Sequence, residues 1–260
     1  MNYSATEMMA VAAARVLTND DICFVGIGTP SLACNLARLT HAPGITLIYE
    51  SGTIGARPHV LPLSIGDPEL SETARTTVAV PEMFQYWLQG GCISVGFLGG
   101  AQIDRYANIN SSVIGSYEKP KVRLPGGGGA PEIASLCRKT YVVMAQSRRS
   151  FVERVDFITT FGYGEGGDHR QRLGIHTEGP TLVITDLCIM RPNLITKELE
   201  VTALHQGVTR EQVIDATGWP VRFAERVEQT PPPTEAELSV LRDLQACTAR
   251  AHGLEVGQND

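Results

Sequence analysis

The sequence predicts one α/β domain over residues 1–260, built on an open, mostly parallel sheet flanked by helices in three α/β/α layers. Two observations predict this class. Short apolar runs that end in glycine turns alternate with amphipathic helical segments, as in chains that build a parallel sheet. The length of 260 residues, with 43% hydrophobic and 19% charged residues, suits a single globular α/β domain.

Composition also narrows the possible partners. The net charge of -6 argues against a nucleic-acid or anionic membrane surface, which needs clustered Lys and Arg. No apolar run approaches the roughly 18 to 20 residues of a membrane span, and Glu7 and Arg15 interrupt the N-terminal apolar stretch, so we expect a cytoplasmic protein. The cysteines are widely spaced without a Cys-x-x-Cys pair, so neither a metal site nor a disulfide is expected.

The first part of the chain predicts a βαβ unit. A capping box at Ser4–Glu7 should start a helix that runs to about Leu17. The strand 22–25 then leads into the turn Gly26–Pro30, a helix, and a second strand that ends at Tyr49. Because the two strands should be parallel, their carboxyl ends meet at one edge of the sheet, where α/β proteins bind ligands.

Glu50 follows directly on the second strand and heads the segment Glu50-Ser51-Gly52. The turn with Gly26 and Gly28 should leave the same sheet edge. A dinucleotide fingerprint is the alternative for this turn, but its third glycine would fall on Ser31, and Glu50 is the only acidic residue near the end of the next strand. Two alternatives remain open. The segment with Gly26 and Gly28 is then only a tight turn needed for packing, and Glu50 is then a capping or surface residue.

Two glycine-rich segments follow an irregular stretch, 52–81, and a short helix from Pro81. After the strand 93–98, Gly99 and Gly100 lead to Gln102, whose amide offers a donor and an acceptor; a simple bend between strands is the alternative. The four glycines Gly126, Gly127, Gly128 and Gly129 precede a helix and expose backbone donors suited to an oxyanion or phosphate. A flexible linker is the alternative.

The last part of the chain predicts strands at 141–144, 155–159 and 182–186. The polar loop 162–170 could bring His169, Arg170 and Arg172 to an anionic ligand, although a solvated loop is favoured. Capping boxes begin a short helix at Thr209 and a terminal helix at about 234–252, and the tail 253–260 should fray.

Taken in order, these motifs resemble the β subunit of class I coenzyme A transferases over roughly residues 8–244. The segments that carry the resemblance are 25–30, 49–52, 97–104, 108–111 and 126–130, with further likeness at 164–170 and 184–190. Thr29 stands where the family often has Leu. The resemblance implies that Glu50 is the nucleophile and that the glycines from Gly126 onward hold the thioester oxygen.

The resemblance is to the glutaconate and 3-oxoadipate branch of the family. It implies CoA transfer from succinyl-CoA to 3-oxoadipate, with coenzyme A as a substrate and no tightly bound cofactor. It also implies a homologous α subunit in an α2β2-like assembly. Transfer to glutaconate or another dicarboxylate, an acyl-CoA hydrolase or decarboxylase on the same scaffold, and a non-catalytic scaffold subunit remain alternatives.

Overall fold

The computed structural model of the protein describes residues 2–253. Its α-helices are α1 (Ala5–Arg15), α2 (Thr29–Leu39), α3 (Pro68–Glu72), α4 (Val80–Glu82), α5 (Ala130–Leu136), α6 (His169–Arg172), α7 (Arg210–Asp215) and α8 (Glu235–His252), and a π-helix, Met83–Leu88, continues α4. Its strands are β1 (Ile22–Phe24), β2 (Thr46–Ile48), β3 (Thr53–Ile54), β4 (Thr76–Thr77), β5 (Val95–Leu98), β6 (Gln102–Ile103), β7 (Ile109–Asn110), β8 (Val113–Gly115), β9 (Pro120–Arg123), β10 (Lys139–Val143), β11 (Gly179–Ile184), β12 (Cys188–Pro192), β13 (Leu199–Leu204) and β14 (Arg222–Gln229).

Contacts group the chain into two compact units. Of the described residues, unit 1 contains 2–93 and 232–253, and unit 2 is Ser94–Pro231. The single domain over 1–260 stays a prediction.

All three predicted capping boxes form. At α1 the Glu7 amide donates to Ser4 Oγ at 3.1 Å, and the Ser4 amide donates to Glu7 Oε2 at 2.8 Å. Thr209 and Thr234 begin α7 and α8 in the same way. The terminal helix predicted at about 234–252 is confirmed, and it ends at Gly253, whose φ of 65° is a left-handed C-cap. The remainder of the predicted frayed tail, 254–260, lies outside the described residues.

Unit 1 contains the predicted βαβ unit. β1 and β2 pair in parallel through α2, and β3 and β4 extend the sheet with antiparallel pairing. The apolar face of α1 packs against α2, and α8 contacts both helices. The stretch 52–81 was expected to be irregular but contains β3, α3 and β4. These elements escaped prediction because they are only two to five residues long.

Unit 2 contains strands in the order β14-β13-β12-β11-β10-β5. β5, β10 and β11 pair in parallel, as do β13 and β14, whereas β12 is antiparallel to both its neighbours. The strand predicted at 155–159 is wrong. Asp156 accepts from the Gly115 amide at 2.8 Å, and Thr159 Oγ1 accepts from the Ser111 amide at 2.9 Å, so side chains satisfy donors that a strand ladder would otherwise pair.

The predicted α/β class is confirmed. Each parallel pair in the two units is connected through a chain segment that contains a helix, which is the connection that parallel strands require. Within residues 2–253, no helix combines the length and apolar character needed to cross a membrane.

Candidate active site

Glu50 lies in a tight turn at the tip of the β2–β3 hairpin. The Gly52 amide donates to the Tyr49 carbonyl at 3.0 Å, and the Tyr49 amide donates to the Thr53 carbonyl at 3.1 Å. These two bonds close a four-residue turn with Glu50 at its second position. The Glu50 side chain is half-buried. The sequence located the carboxylate at the end of the strand, and the structure adds that the chain reverses directly after it.

The turn is fixed on both sides of Glu50. Gly52 has φ +98°, and a Cβ added there would lie 2.0 Å from the Val78 carbonyl oxygen, so only glycine fits. On the other side, the fully buried Tyr49 ring places its hydroxyl 3.1 Å from Ser31 Oγ in the first turn of α2. Burial raises the pKa of Tyr49 above its ordinary value, so the hydroxyl stays protonated.

Tyr49 and Ser31 were not identified as site residues from the sequence. In the sequence Tyr49 closes an apolar run, and Ser31 stands where a dinucleotide motif would have its third glycine. Asn35 strengthens the pair, because its Nδ2 donates to the Ser31 carbonyl at 2.9 Å one turn further along α2. The spacing of Ser31 and Asn35, four residues apart on one helix face, was the available signal.

The glycine turn before α2 and Glu50 leave the same edge of the sheet, as predicted. Phe24 in β1 is in register with Ile48 in β2, and the Val25 amide donates to the Ile48 carbonyl at 2.9 Å. Gly28, with φ +81°, is the N-cap of α2 and has no side-chain cap, and a Cβ there would meet open space. Unit 1 therefore places the turn of Gly26 and Gly28 beside the Glu50 hairpin at the carboxyl ends of two parallel strands.

The four-glycine run lies in unit 2, before α5. Gly126 and Gly128 have φ values of +103° and +51°, and a Cβ on either would meet open space. The Gly126 amide donates to the Ser111 carbonyl at 2.8 Å, so that donor is already engaged. Among residues 2–253 the amides of Gly127 and Gly128 have no acceptor, which leaves them as the bare donors of the run.

Gln102 is buried, and both ends of its amide are engaged inside unit 2. Its Oε1 accepts from Asn110 Nδ2 at 2.7 Å and from the Asp156 amide at 3.1 Å, while its Nε2 donates to Asp156 Oδ2 at 3.1 Å. Gln102 thus joins β6, β7 and the segment around Asp156. These contacts favour a structural role over the predicted ligand-binding role.

The segment 162–170 is not the fully solvated loop that its polar composition favours. Arg170 is 4% exposed and donates to the carbonyls of Ala134, Gly162 and Thr177 at 2.6, 2.9 and 3.2 Å and to Thr177 Oγ1 at 2.6 Å. Burial lowers its pKa. Its side chain is therefore engaged by the protein itself and holds the end of α5 in place. Arg172, in contrast, is exposed and pairs with Asp168 at 2.9 Å.

Unit 2 also carries an open cavity of about 1280 Å³. Its lining mixes aromatic and charged side chains, among them Arg105, Tyr106, Glu153, Phe157 and His169. Glu50, the glycines 126–129 and Gln102 are not part of this lining. Within residues 2–253, no three His, Cys, Asp or Glu side chains are grouped closely enough to hold a metal ion.

Unit 1 thus holds the Glu50 carboxylate in a hairpin beside a glycine turn, at the carboxyl ends of two parallel strands, where α/β proteins bind their ligands. The family model for coenzyme A transferase matches residues 6–216. The chain is 62% identical, over 98% of both chains, to one subunit of the 3-oxoadipate CoA-transferase of Pseudomonas knackmussii. It is 34% identical, over 91% of both chains, to one subunit of the glutaconate CoA-transferase of Acidaminococcus fermentans.

The fold agrees with these sequence relationships. The crystal structure of glutaconate coenzyme A-transferase from Acidaminococcus fermentans matches with a TM-score of 0.87 and 31% identity over 93% of this chain and 94% of that chain. The chain belongs to the coenzyme A transferase family. The predicted family and enzyme class are therefore confirmed.

Proposed function

We propose that the chain transfers coenzyme A from succinyl-CoA to 3-oxoadipate through a thioester on Glu50, in complex with a homologous α subunit. The observation that carries this proposal is the Glu50 turn, held by Tyr49 and Gly52 in a chain 62% identical to a 3-oxoadipate CoA-transferase subunit. Such a turn fixes the backbone of the nucleophile, so that only side-chain rotation is needed to meet the substrate.

The proposed reaction begins with attack of a Glu50 carboxylate oxygen on the thioester carbonyl of succinyl-CoA. A C–O bond forms, the C–S bond breaks, and the CoA thiolate leaves with the electron pair. The thiolate then attacks the glutamyl carbonyl of the resulting anhydride and expels succinate. The enzyme now carries CoA as a thioester on Glu50.

The second half reverses these steps with the acceptor. A carboxylate oxygen of 3-oxoadipate attacks the glutamyl thioester and releases CoA thiolate, which then attacks the acceptor's carbonyl in the new anhydride. The products are 3-oxoadipyl-CoA and the regenerated Glu50 carboxylate. Each step passes through a tetrahedral oxyanion, for which the amides of Gly127 and Gly128 are the proposed backbone donors.

The α subunit is proposed because both relatives carry names of enzyme subunits. We propose that it is homologous to this chain and completes the coenzyme A site in an α2β2-like complex. Glu50 on the isolated chain should then be inert. Size-exclusion chromatography with light scattering of the co-expressed chains tests the assembly, and an isolated chain with full transferase activity would contradict it.

The activity is tested with the co-expressed complex, succinyl-CoA and a panel of acceptor acids. We expect 3-oxoadipate to give the highest kcat/KM, above glutaconate and acetate. Glu50→Ala should lower kcat by at least roughly 10⁴-fold, because covalent catalysis is lost while the complex still assembles. Glu72→Gln, at an exposed glutamate of α3, is the matched control and should keep wild-type activity.

The alternatives give different results in the same assay. Release of CoA from succinyl-CoA without any acceptor would indicate a hydrolase on this scaffold. A different preferred acid would preserve the transferase mechanism and change only the acceptor. A fully active Glu50→Ala complex would contradict the proposed nucleophile.

A further inference from the structure

Ser51, the residue after Glu50, has a buried hydroxyl that is not hydrogen-bonded. Within residues 2–253 its Oγ has no partner. An unsatisfied buried hydroxyl costs roughly 1–3 kcal/mol, and native proteins satisfy nearly all such groups. Other side chains share this property, Thr140 among them, so what points to a role for Ser51 is its free hydroxyl together with its position directly after Glu50.

The turn itself does not supply an acceptor to Ser51 in the structure. The carbonyls of Tyr49 and Gly52 accept from the amides of Gly52 and Val78, at 3.0 and 2.9 Å, and neither accepts from Ser51 Oγ. The backbone of Gly52 also lies close to the carbonyl of Val78, the residue after β4, so the turn cannot change its conformation at Gly52 unless Val78 moves. Among nearby groups, the Glu50 side chain has three rotatable bonds and can reorient while the backbone stays fixed.

Glu50 can bring its carboxyl group to Ser51. Their Cα atoms are about 3.8 Å apart across one trans peptide, and a glutamate side chain is long enough to fold back over that distance. We propose that the Ser51 hydroxyl donates a hydrogen bond to the Glu50 carboxyl oxygen when negative charge develops on it during acyl transfer. This inference rests on the proposed function of Glu50 and adds Ser51 as a catalytic residue.

The charge develops in a defined step. When the CoA thiolate adds to the glutamyl carbonyl carbon, a C–S bond forms and the carbonyl π pair moves onto the glutamyl oxygen. Ser51 Oγ–H donates to that oxyanion and keeps its proton. The electron pair on the oxyanion then returns to re-form the glutamyl carbonyl. The C–O bond between the glutamyl carbon and the anhydride oxygen breaks, and the acid of the acyl group leaves as a carboxylate. No proton or electron is exchanged with Ser51.

A role in catalysis and a role in folding predict opposite changes in Ser51→Ala. Removing a hydroxyl that has no partner in the resting protein removes its desolvation penalty, so the melting temperature should stay the same or rise. The kcat should fall by roughly 10²-fold, as for loss of one oxyanion donor, while KM for succinyl-CoA changes less than about threefold. Both values are measured on the co-expressed complex, together with the single-turnover rate of enzyme thioester formation.

Thr140→Val is the matched control, because Thr140 Oγ1 is also buried and without a partner among the described residues, but it lies in β10 of unit 2. It should match the stability change and keep wild-type kcat. If the Ser51 hydroxyl only holds an internal water, Ser51→Ala keeps its kcat, and that result overturns the inference. An inactive Glu50→Ala complex would still support the proposed function in that case. Loss of both stability and kcat in Ser51→Ala also overturns the inference. Should Ser51→Ala not assemble, Ser51→Cys, a weaker donor of similar size, is judged by the same criteria.

Discussion

Replacing Arg170 with methionine should destabilise the protein, and the structure gives the size of the effect. The guanidinium donates to four backbone carbonyls, of which Phe161 is the most distant at 3.4 Å, and to one hydroxyl, from a side chain that is 4% exposed. The Ala134 carbonyl is one of the last four of α5, so the helix itself offers it no donor. Methionine fills a similar volume but donates nothing.

The three carbonyls with the shorter contacts, those of Ala134, Gly162 and Thr177, would each lose a donor at roughly 1–2 kcal/mol, and the long contact to Phe161 adds little. Removing a buried charge without a nearby carboxylate partner returns part of its desolvation penalty, because burial disfavours the charged form and thereby lowers the pKa of Arg170. We expect a net loss of about 3 kcal/mol, which lowers the melting temperature by roughly 6–12 °C for a chain of this size.

Thermal and urea unfolding of Arg170→Met measure this loss. Arg172→Met is the control, because the exposed pair of Arg172 with Asp168 should contribute about 0.5 kcal/mol or less. Arg170→Lys should fall between the two, since an ammonium keeps the charge but cannot reproduce the planar fork. Equal stability of Arg170→Met and Arg172→Met would refute the reasoning.

Two further predictions concern unit 1. Gly52→Ala should lose at least about 2 kcal/mol of stability and at least tenfold in kcat, because the new Cβ meets the Val78 carbonyl. Gly28→Ala should lose only about 1–2 kcal/mol of stability, which comes from its positive φ alone. Equal urea midpoints for the two variants would contradict this difference. Burial would raise the pKa of Glu237, but hydrogen bonds from Arg15 and Thr234 outweigh it and lower the pKa from 4.5 to about 2. Its stabilisation is therefore full above pH 4.5 and is lost as the pH falls toward 2, so Glu237→Gln should be about 1 kcal/mol less stable at pH 7 and lose less on acidification. Parallel pH profiles of urea midpoints for wild type and Glu237→Gln would contradict that assignment.

Much of unit 1 could be predicted because its signals are local. Capping boxes at Ser4 and Thr234 depend on side chains three residues apart, and the apolar run before Glu50 marks a buried strand. The position of Glu50 at the sheet edge follows from the βαβ connection alone. The hairpin that reverses the chain after Glu50 did not follow, because β3 is only two residues long.

Unit 2 was harder to predict because its structure depends on partners distant in sequence. Asp156 and Thr159 suit a strand by pattern, yet their side chains bond to segments 41 to 54 residues away in the sequence. Arg170 sits in a glycine-rich polar stretch typical of a solvated loop, but it fills a cluster of carbonyl oxygens that only the folded chain assembles. Such polar contacts have no periodicity and leave no pattern in the sequence.

The central claim is that Glu50 carries coenzyme A during turnover. The complex is incubated with succinyl-CoA without acceptor, the thioester is trapped with hydroxylamine or reduced with borohydride, and the modified peptide is mapped by mass spectrometry. We predict modification of Glu50 alone, absent in Glu50→Ala and reversed when 3-oxoadipate is added before trapping. Modification of another residue, or none while transfer proceeds, would contradict the claim.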